Sequence, residues 1–247
     1  MKLIEEILDF LYPPRCIVCG DIAFKINNDK VLCRKCRKCI PWIEDMSRCP
    51  YCSAPSEKGR VCSVCKGKEK MYKKAISVFE YSDVKNTVEN YKFKGNKYLS
   101  VSIGSVMADY AKKFYPDILS ECELICPVPI HSTRFAERGF DQSELLGRVI
   151  SEKSGIKYAD ALVRIRATGP QSLIKGYSLR EANVKGAFKA VKDVKGKTVL
   201  LIDDVLTTGS SANECTKALL AEGAKEVYVF TFAASYKQSH KSEDGNR

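Results

Sequence analysis

No stretch of the 247-residue chain approaches 18 uninterrupted apolar residues, so no membrane-spanning helix is expected. The opening MKLIEEILDFLYPP carries Glu5, Glu6 and Asp9 where a secretion signal needs an apolar run, and none is expected. Histidine is scarce, at two residues, and no internal repeat is present beyond a recurring Cys-x-x-Cys. Apolar groups are not in short supply. The chain is 45% hydrophobic and 29% charged, which excludes wholesale disorder. These features describe a cytoplasmic globular chain of one large or two small domains.

Cysteine is what the sequence has in excess: 12 residues, nine of them within the first 65. A reducing cytosol does not sustain a disulfide scaffold, so metal binding is the reading that fits. The spacings are Cys16-x-x-Cys19, Cys33-x-x-Cys36, Cys49-x-x-Cys52 and Cys62-x-x-Cys65, with Cys39 three residues beyond the second knuckle. A two-residue gap lets both thiolates of a knuckle reach one metal, and a second knuckle completes the tetrahedron. Closed, all-thiolate coordination suits structural zinc, two ions in all; an iron–sulfur cluster is the competing use of such ligands. The simplest pairing puts Cys16, Cys19, Cys33 and Cys36 on one ion and Cys49, Cys52, Cys62 and Cys65 on the other. An interleaved pairing is open at this point, as is Cys39 in place of Cys36. Cys122, Cys126 and Cys215 lie elsewhere and read as small buried hydrophobes.

The formal net charge is +11. It falls to about +7 once eight thiolates hold two zinc ions. A basic chain suits an anionic partner: nucleic acid, a phosphate-bearing substrate or a membrane surface. Residues 33–39 read CRKCRKC. Arg34, Lys35, Arg37 and Lys38 thus form a compact positive patch on a turn, a candidate nucleic-acid contact, with Trp42, Tyr51 and Tyr72 near in sequence as stacking partners. The same cations could instead offset the thiolate charge.

Composition divides the chain in three. Residues 1–72 are expected to hold an N-terminal helix and a double zinc-ribbon module. In the helix, Leu3, Ile4, Ile7, Leu8 and Leu11 make a stripe that docks on the rest of the protein, and Pro13 and Pro14 stop it. Residues 73–236 read as an α/β domain, with strands at 75–81, 124–128, 198–202 and 227–233. Helices are expected at 84–93, 98–114, 140–154 and 210–222, the last ended by Gly223. Residues 164–186 show no clear period and read as a mobile or substrate-contacting segment. Alternating strands and helices imply a parallel, doubly wound sheet. Residues 237–247 form a polar tail.

The sharpest motif runs from Thr198 through Leu201-Ile202-Asp203-Asp204 to Thr207-Thr208-Gly209-Ser210-Ser211. An apolar strand delivers two adjacent carboxylates to its C-terminal edge, and a turn of small residues opens a helix. Free N–H groups at a helix N-terminus, together with its dipole, bind phosphate. The hydroxyls of Thr207, Thr208, Ser210 and Ser211 add donors, and Gly209 admits close backbone approach. The two acids suit sugar hydroxyls or a Mg²⁺ ion. The pattern fits a 5′-phosphorylated ribose. It is not a Walker loop, since no Gly-Lys-[Ser/Thr] follows.

This stretch resembles the phosphoribosyl pyrophosphate (PRPP) motif of type I phosphoribosyltransferases. Further motifs are Pro127-Val-Pro129-Ile-His131, Arg134, Arg138-Gly139-Phe140-Asp141-Gln142, Thr168-Gly169-Pro170-Gln171 and Arg180-Glu-Ala-Asn183-Val-Lys-Gly-Ala187-Phe188. With Tyr91-Lys92-Phe93-Lys94-Gly95 and the knuckles followed by Ile40-Pro41-Trp42, they resemble the ComF family of competence-associated proteins. The resemblance implies a type I phosphoribosyltransferase-like fold binding PRPP with magnesium. It implies Arg134 and Arg138 as pyrophosphate ligands, since guanidinium groups pair with phosphates in fork geometry. Gln171, Arg180 and Asn183 would belong to a lid or acceptor pocket, and His131 would contact pyrophosphate or cap a turn. Asp141 stands where the family usually has Asn, and a carboxylate there would repel pyrophosphate unless it faces a cation.

The implied role is the handling of incoming single-stranded DNA on the cytoplasmic side during natural transformation, beside a helicase or other DNA-uptake proteins. The alternative is an active transferase of nucleotide salvage, moving phosphoribose onto a small nucleobase-like acceptor. There, Asp203 and Asp204 near the ribose and Arg134 and Arg138 on the leaving group would act by positioning and charge stabilisation.

Overall fold

Runs of β-branched and aromatic residues set the centre of the molecule. A computed structural model describes residues 16–23, 32–39, 47–93, 95–168 and 177–236, with backbone alone at 37–39, 93, 177 and 178. Strands β1 (Lys74–Glu80), β2 (Leu124–Pro127) and β3 (Lys157–Tyr158) join the longer β6 (Thr198–Leu206) and β7 (Glu226–Ala234) in one sheet. Its order is β1-β7-β6-β2-β3 and every pairing is parallel. Strands β4 (Leu162–Arg164) and β5 (Phe188–Ala190) form a separate antiparallel pair.

The helices are α1 (Arg34–Cys39), α2 (Tyr81–Phe93), α3 (Leu99–Phe114), α4 (Pro116–Glu121) and α5 (Ser132–Arg138), then α6 (Gln142–Ser154), α7 (Tyr177–Val184) and α8 (Ser210–Ala221). Both faces of the sheet are covered, which is why β6 and β7 are apolar almost throughout. Leu200, Ile202, Phe230 and Phe232 share one buried cluster with Ile103 and Met107 of α3 and Leu146 and Ile150 of α6. Val199, Leu201, Val227 and Val229 share the other with Ala212, Cys215 and Leu219 of α8. Helices α3 and α6 approach closely at Gly104, where a Cβ would stand 2.7 Å from that of Val149. Cys122, Cys126 and Cys215 are buried, as the sequence suggested.

The doubly wound parallel sheet expected from the sequence is present, with differences in detail. Strand β6 runs four residues past Ile202, because Asp203, Val205 and Leu206 pair with Thr231, Ala233 and Ala234 of β7. The two carboxylates therefore sit inside the strand rather than at its end. Helix α2 begins at Tyr81, although Val84 has non-helical torsions. The aperiodic segment 164–186 contains the end of β4 and all of α7, elements of three and eight residues. Such lengths are too short to show a period. The N-terminal helix of residues 1–14, Ile40, Pro41, Trp42, Lys94, Gln171 and the tail 237–247 lie outside the described residues.

The cysteine-rich segments pack on this sheet. Cys16, Ile17, Ala23, Leu32, Cys33 and Cys36 belong to the same buried cluster as Phe79 and Tyr91. Farther along, Ala75 N donates to Pro50 O at 2.7 Å, and Ser53 Oγ donates to Ala75 O at 3.2 Å. Arg48 reaches Glu80 at 3.1 Å and the hydroxyl of Tyr236 at 2.9 Å.

Candidate phosphate cleft and metal centres

Each sequence pair of knuckles closes on itself. The sulfurs of Cys16, Cys19, Cys33 and Cys36 lie within 4.8 Å of one another, and so do those of Cys49, Cys52, Cys62 and Cys65. The separations Cys19–Cys33 and Cys52–Cys62 are 3.6 and 3.7 Å. A tetrahedron with Zn–S of about 2.3 Å has edges of about 3.8 Å, so these donor sets fit zinc. The structure gathers the cysteines in the simplest of the pairings, and the interleaved one is not formed. Cys39 lies in α1, and its side chain is outside the described residues. Arg34 and Lys35 are exposed on α1, a short helix where the sequence suggested a turn. The side chains of Arg37 and Lys38 are outside the described residues. Tyr72 is unavailable for base stacking: it is 1% exposed, lies edge-on to Tyr51, and donates its hydroxyl to Tyr51 O at 2.8 Å.

A cleft of about 650 Å³ opens at the carboxyl ends of the parallel strands, where open α/β sheets bind ligands. Its floor is the end of β6 and the turn into α8. Asp203, Asp204, Thr207, Thr208, Gly209, Ser210 and Ser211 all line it, and so do Arg134 and Arg138. Gly209 has φ +71°, and a Cβ there would fall 2.5 Å from the hydroxyl oxygen of Tyr72. Glycine is therefore required on both torsional and steric grounds. Beyond it, Thr208 and Ser210 share a hydroxyl contact of 2.8 Å.

The two acids have different surroundings. Asp204 Oδ1 pairs with the ammonium of Lys92 at 2.9 Å. Asp203 Oδ1 accepts from Ser143 Oγ at 3.1 Å and from the backbone of Asp204 at 2.9 Å. Burial, and then the charge of Asp204, push the Asp203 carboxyl up to about 7, against the opposing pull of Lys92.

Opposite polarity comes from α5 and its neighbours. Among the described residues, three buried side-chain atoms have no hydrogen-bond partner: Arg134 Nη2, Gln142 Nε2 and Arg164 Nε. All three are donors, and all three residues line this cleft. A buried donor without an acceptor costs about 1–3 kcal/mol, so the site is shaped for a ligand rich in acceptor oxygens. Burial, and then Arg138, lower the affinity of Arg134 for its proton; burial, and then Arg134, do the same to Arg164.

The sequence named Asp203, Asp204, the Thr207–Ser211 turn and the arginine pair. It did not single out Lys92, Ser143, Gln142 or Arg164. Only Lys92 and Gln142 left a trace, inside the motifs that carried the resemblance. Two residues named with the pyrophosphate loop cap helices. Asp141 is 7% exposed and caps α6, accepting from Ser143 N at 2.9 Å and Glu144 N at 3.2 Å, while its other oxygen accepts from Ile130 N at 2.9 Å. Those three N–H groups, rather than a cation, answer its charge. His131 caps α5, its Nδ1 accepting from Thr133 N at 3.3 Å.

Two closed thiolate clusters beside a parallel sheet, with an acidic strand and phosphate-type turn at its carboxyl edge, define a zinc-ribbon protein with a phosphoribosyltransferase-type domain. Family models agree: a double zinc ribbon domain matches residues 7–66 and a phosphoribosyl transferase domain residues 141–245. The chain is 28% identical to DNA utilization protein YhgH of Salmonella typhimurium over 203 residues, 81% of this chain and 88% of that protein. It is 28% identical to competence protein ComFC of Streptococcus pneumoniae over 88% of this chain and 98% of the relative. Competence protein F of Haemophilus influenzae is 27% identical over 89% and 96%. The chain thus carries a double zinc ribbon and a phosphoribosyl transferase domain, and it is similar over most of its length to these competence and DNA-utilization proteins. No helix among the described residues is long and apolar enough to cross a membrane.

Proposed function

We propose that this chain binds PRPP with Mg²⁺ in the cleft and uses the liganded state in handling single-stranded DNA during natural transformation, on the cytoplasmic side and beside a helicase or other DNA-uptake proteins. The carrying observation is that the acidic pair, the small-residue turn and the arginines line one cleft at the carboxyl edge of the sheet. In this reading the 5′-phosphate takes the Thr207–Ser211 turn. The ribose hydroxyls face Asp203 and Asp204, and the pyrophosphate supplies acceptors to Arg134 and Arg138. Gln142 and Arg164 add the remaining buried donors. Mg²⁺ carried by the pyrophosphate would meet the same two carboxylates and offset their mutual repulsion. The DNA half of the reading draws on the names of the relatives, on the net charge of +11, and on the exposed Arg34 and Lys35. Arg37 and Lys38 extend that patch in sequence. The ribbons and the α/β domain, 1–72 and 73–236, would divide the work between nucleic acid and PRPP.

The test is fluorescence anisotropy of a labelled single-stranded oligonucleotide against the zinc-loaded protein, over a salt series, with and without Mg²⁺-PRPP. Binding that weakens steeply with salt and changes with PRPP is the expected result. No DNA binding in either condition, with pyrophosphate released once a small acceptor is supplied, would replace this reading with that of a salvage transferase.

A further inference from the structure

We infer that the second zinc cluster is a working part of the phosphate site, with Lys70 as the positioning residue that couples them. The inference rests on the reading of the Thr207–Ser211 turn as the phosphate seat. The segment leaving the Cys62–Cys65 knuckle runs directly against that turn. Lys70 Nζ donates to the carbonyl of Thr208 at 2.8 Å. Met71 N donates to Oδ1 of Asn213, a buried residue of α8, at 2.7 Å. Tyr72 closes the back of the turn, its hydroxyl 2.5 Å from where a Cβ on Gly209 would be.

That hydroxyl is itself held by the other knuckle of the same cluster. It donates to the carbonyl of Tyr51, which lies between Cys49 and Cys52. Both knuckles therefore bear on the turn, one through Tyr51 and Tyr72, the other through Lys70. The shape of a knuckle is fixed by its metal, and metal binding and local folding are one equilibrium. Zinc in this cluster holds the turn in the form that receives phosphate. By linkage, a phosphate-bearing ligand in the turn must hold the zinc more firmly by the same factor.

The measurement is made on the full zinc-loaded chain, by calorimetric titration with Mg²⁺-PRPP and by the rate at which a zinc-selective chelator strips the metal with and without PRPP. Unsubstituted protein should bind PRPP and release one of its two zinc ions roughly fivefold more slowly when liganded. The variant Cys62→Ser identifies which release phase belongs to the second cluster. Lys70→Met, at a half-buried position that leaves every cysteine in place, should weaken PRPP binding roughly tenfold and abolish the protection of zinc. Lys70→Arg, which keeps a donor, should restore both. PRPP binding with identical zinc release in the two states overturns the coupling. So does a Lys70→Met variant that binds PRPP and protects zinc as the parent does. Failure of the unsubstituted protein to bind PRPP overturns the reading of the turn, and the coupling with it.

Discussion

The ammonium of Lys92, near the end of α2, stands 2.9 Å from one carboxylate oxygen of Asp204, in the middle of the cleft floor. Its neighbour Asp203 has a serine hydroxyl and a backbone N–H in place of a cation. Two adjacent acids of the same sequence motif thus have different partners. Burial, and then the charge of Asp204, raise the Asp203 carboxyl to about 7.

A pH dependence follows for Asp203. Its carboxyl, near 3.8 when unfolded, is raised to about 7 in the fold. Between those values the folded chain holds a proton that the unfolded chain has lost. Stability therefore falls as pH rises through that window, and the cost is complete above about 7. Asp203→Asn should raise the melting temperature at pH 8 and change it little at pH 4, while Asp203→Asn with Asp204→Asn abolishes PRPP binding with the fold intact. Equal calorimetric affinity in the double variant would remove these acids from the site.

Lys92→Met leaves the two carboxylates without their cation. The Asp203 carboxyl should then titrate at still higher pH. If PRPP requires that carboxylate ionised, the midpoint of affinity against pH moves upward with it. A plot of dissociation constant against pH for the parent and the variant reads this directly, and coincident midpoints would contradict it.

Arg134 carries a buried donor with no partner in the described structure. Arg134→Met removes that cost, so the unliganded variant should melt no lower than the parent. PRPP affinity should fall by about 1–3 kcal/mol. Thermal shift with and without PRPP separates the two effects, and an unchanged ligand-induced shift would exclude Arg134 from pyrophosphate binding.

Cys49→Ser leaves the second cluster with three thiolates. Native mass spectrometry should find one zinc per chain in place of two, and limited proteolysis should cut the 49–65 segment first. Two retained zinc ions would refute the assignment of Cys49.

The sequence disclosed those parts of the molecule whose chemistry is local. The spacing of eight cysteines and the run Thr198–Ser211 each need only neighbouring residues to be legible: the eight sulfurs form two groups of four, and the acids and the turn line one cleft, although the acids fall inside β6 and not at its end. The apolar runs of β6 and β7 disclosed a sheet buried on both faces for the same reason. What stayed hidden depends on residues distant in the chain. The pairing of Lys92 with Asp204 spans α2 and β6, and Ser143 meets Asp203 only because α6 packs on that strand. The role of Asp141 was legible as an acid before a helix, yet its acceptance of Ile130 N depends on the path of the preceding loop. Strands β3, β4 and β5 have two or three residues each, fewer than any period can reveal.

Strand β1 is an edge of the sheet ordered β1-β7-β6-β2-β3, and on its outer side Ala75 N donates to Pro50 O while Ala75 O accepts from Ser53 Oγ. The cysteine-rich segment thereby occupies backbone groups that would otherwise stand open as a template for strand addition by another molecule. The metal is then also a guard against self-association. Stripping zinc should produce soluble oligomers built through β1 before it produces unfolded chains, a sequence of events that light scattering alongside circular dichroism would record.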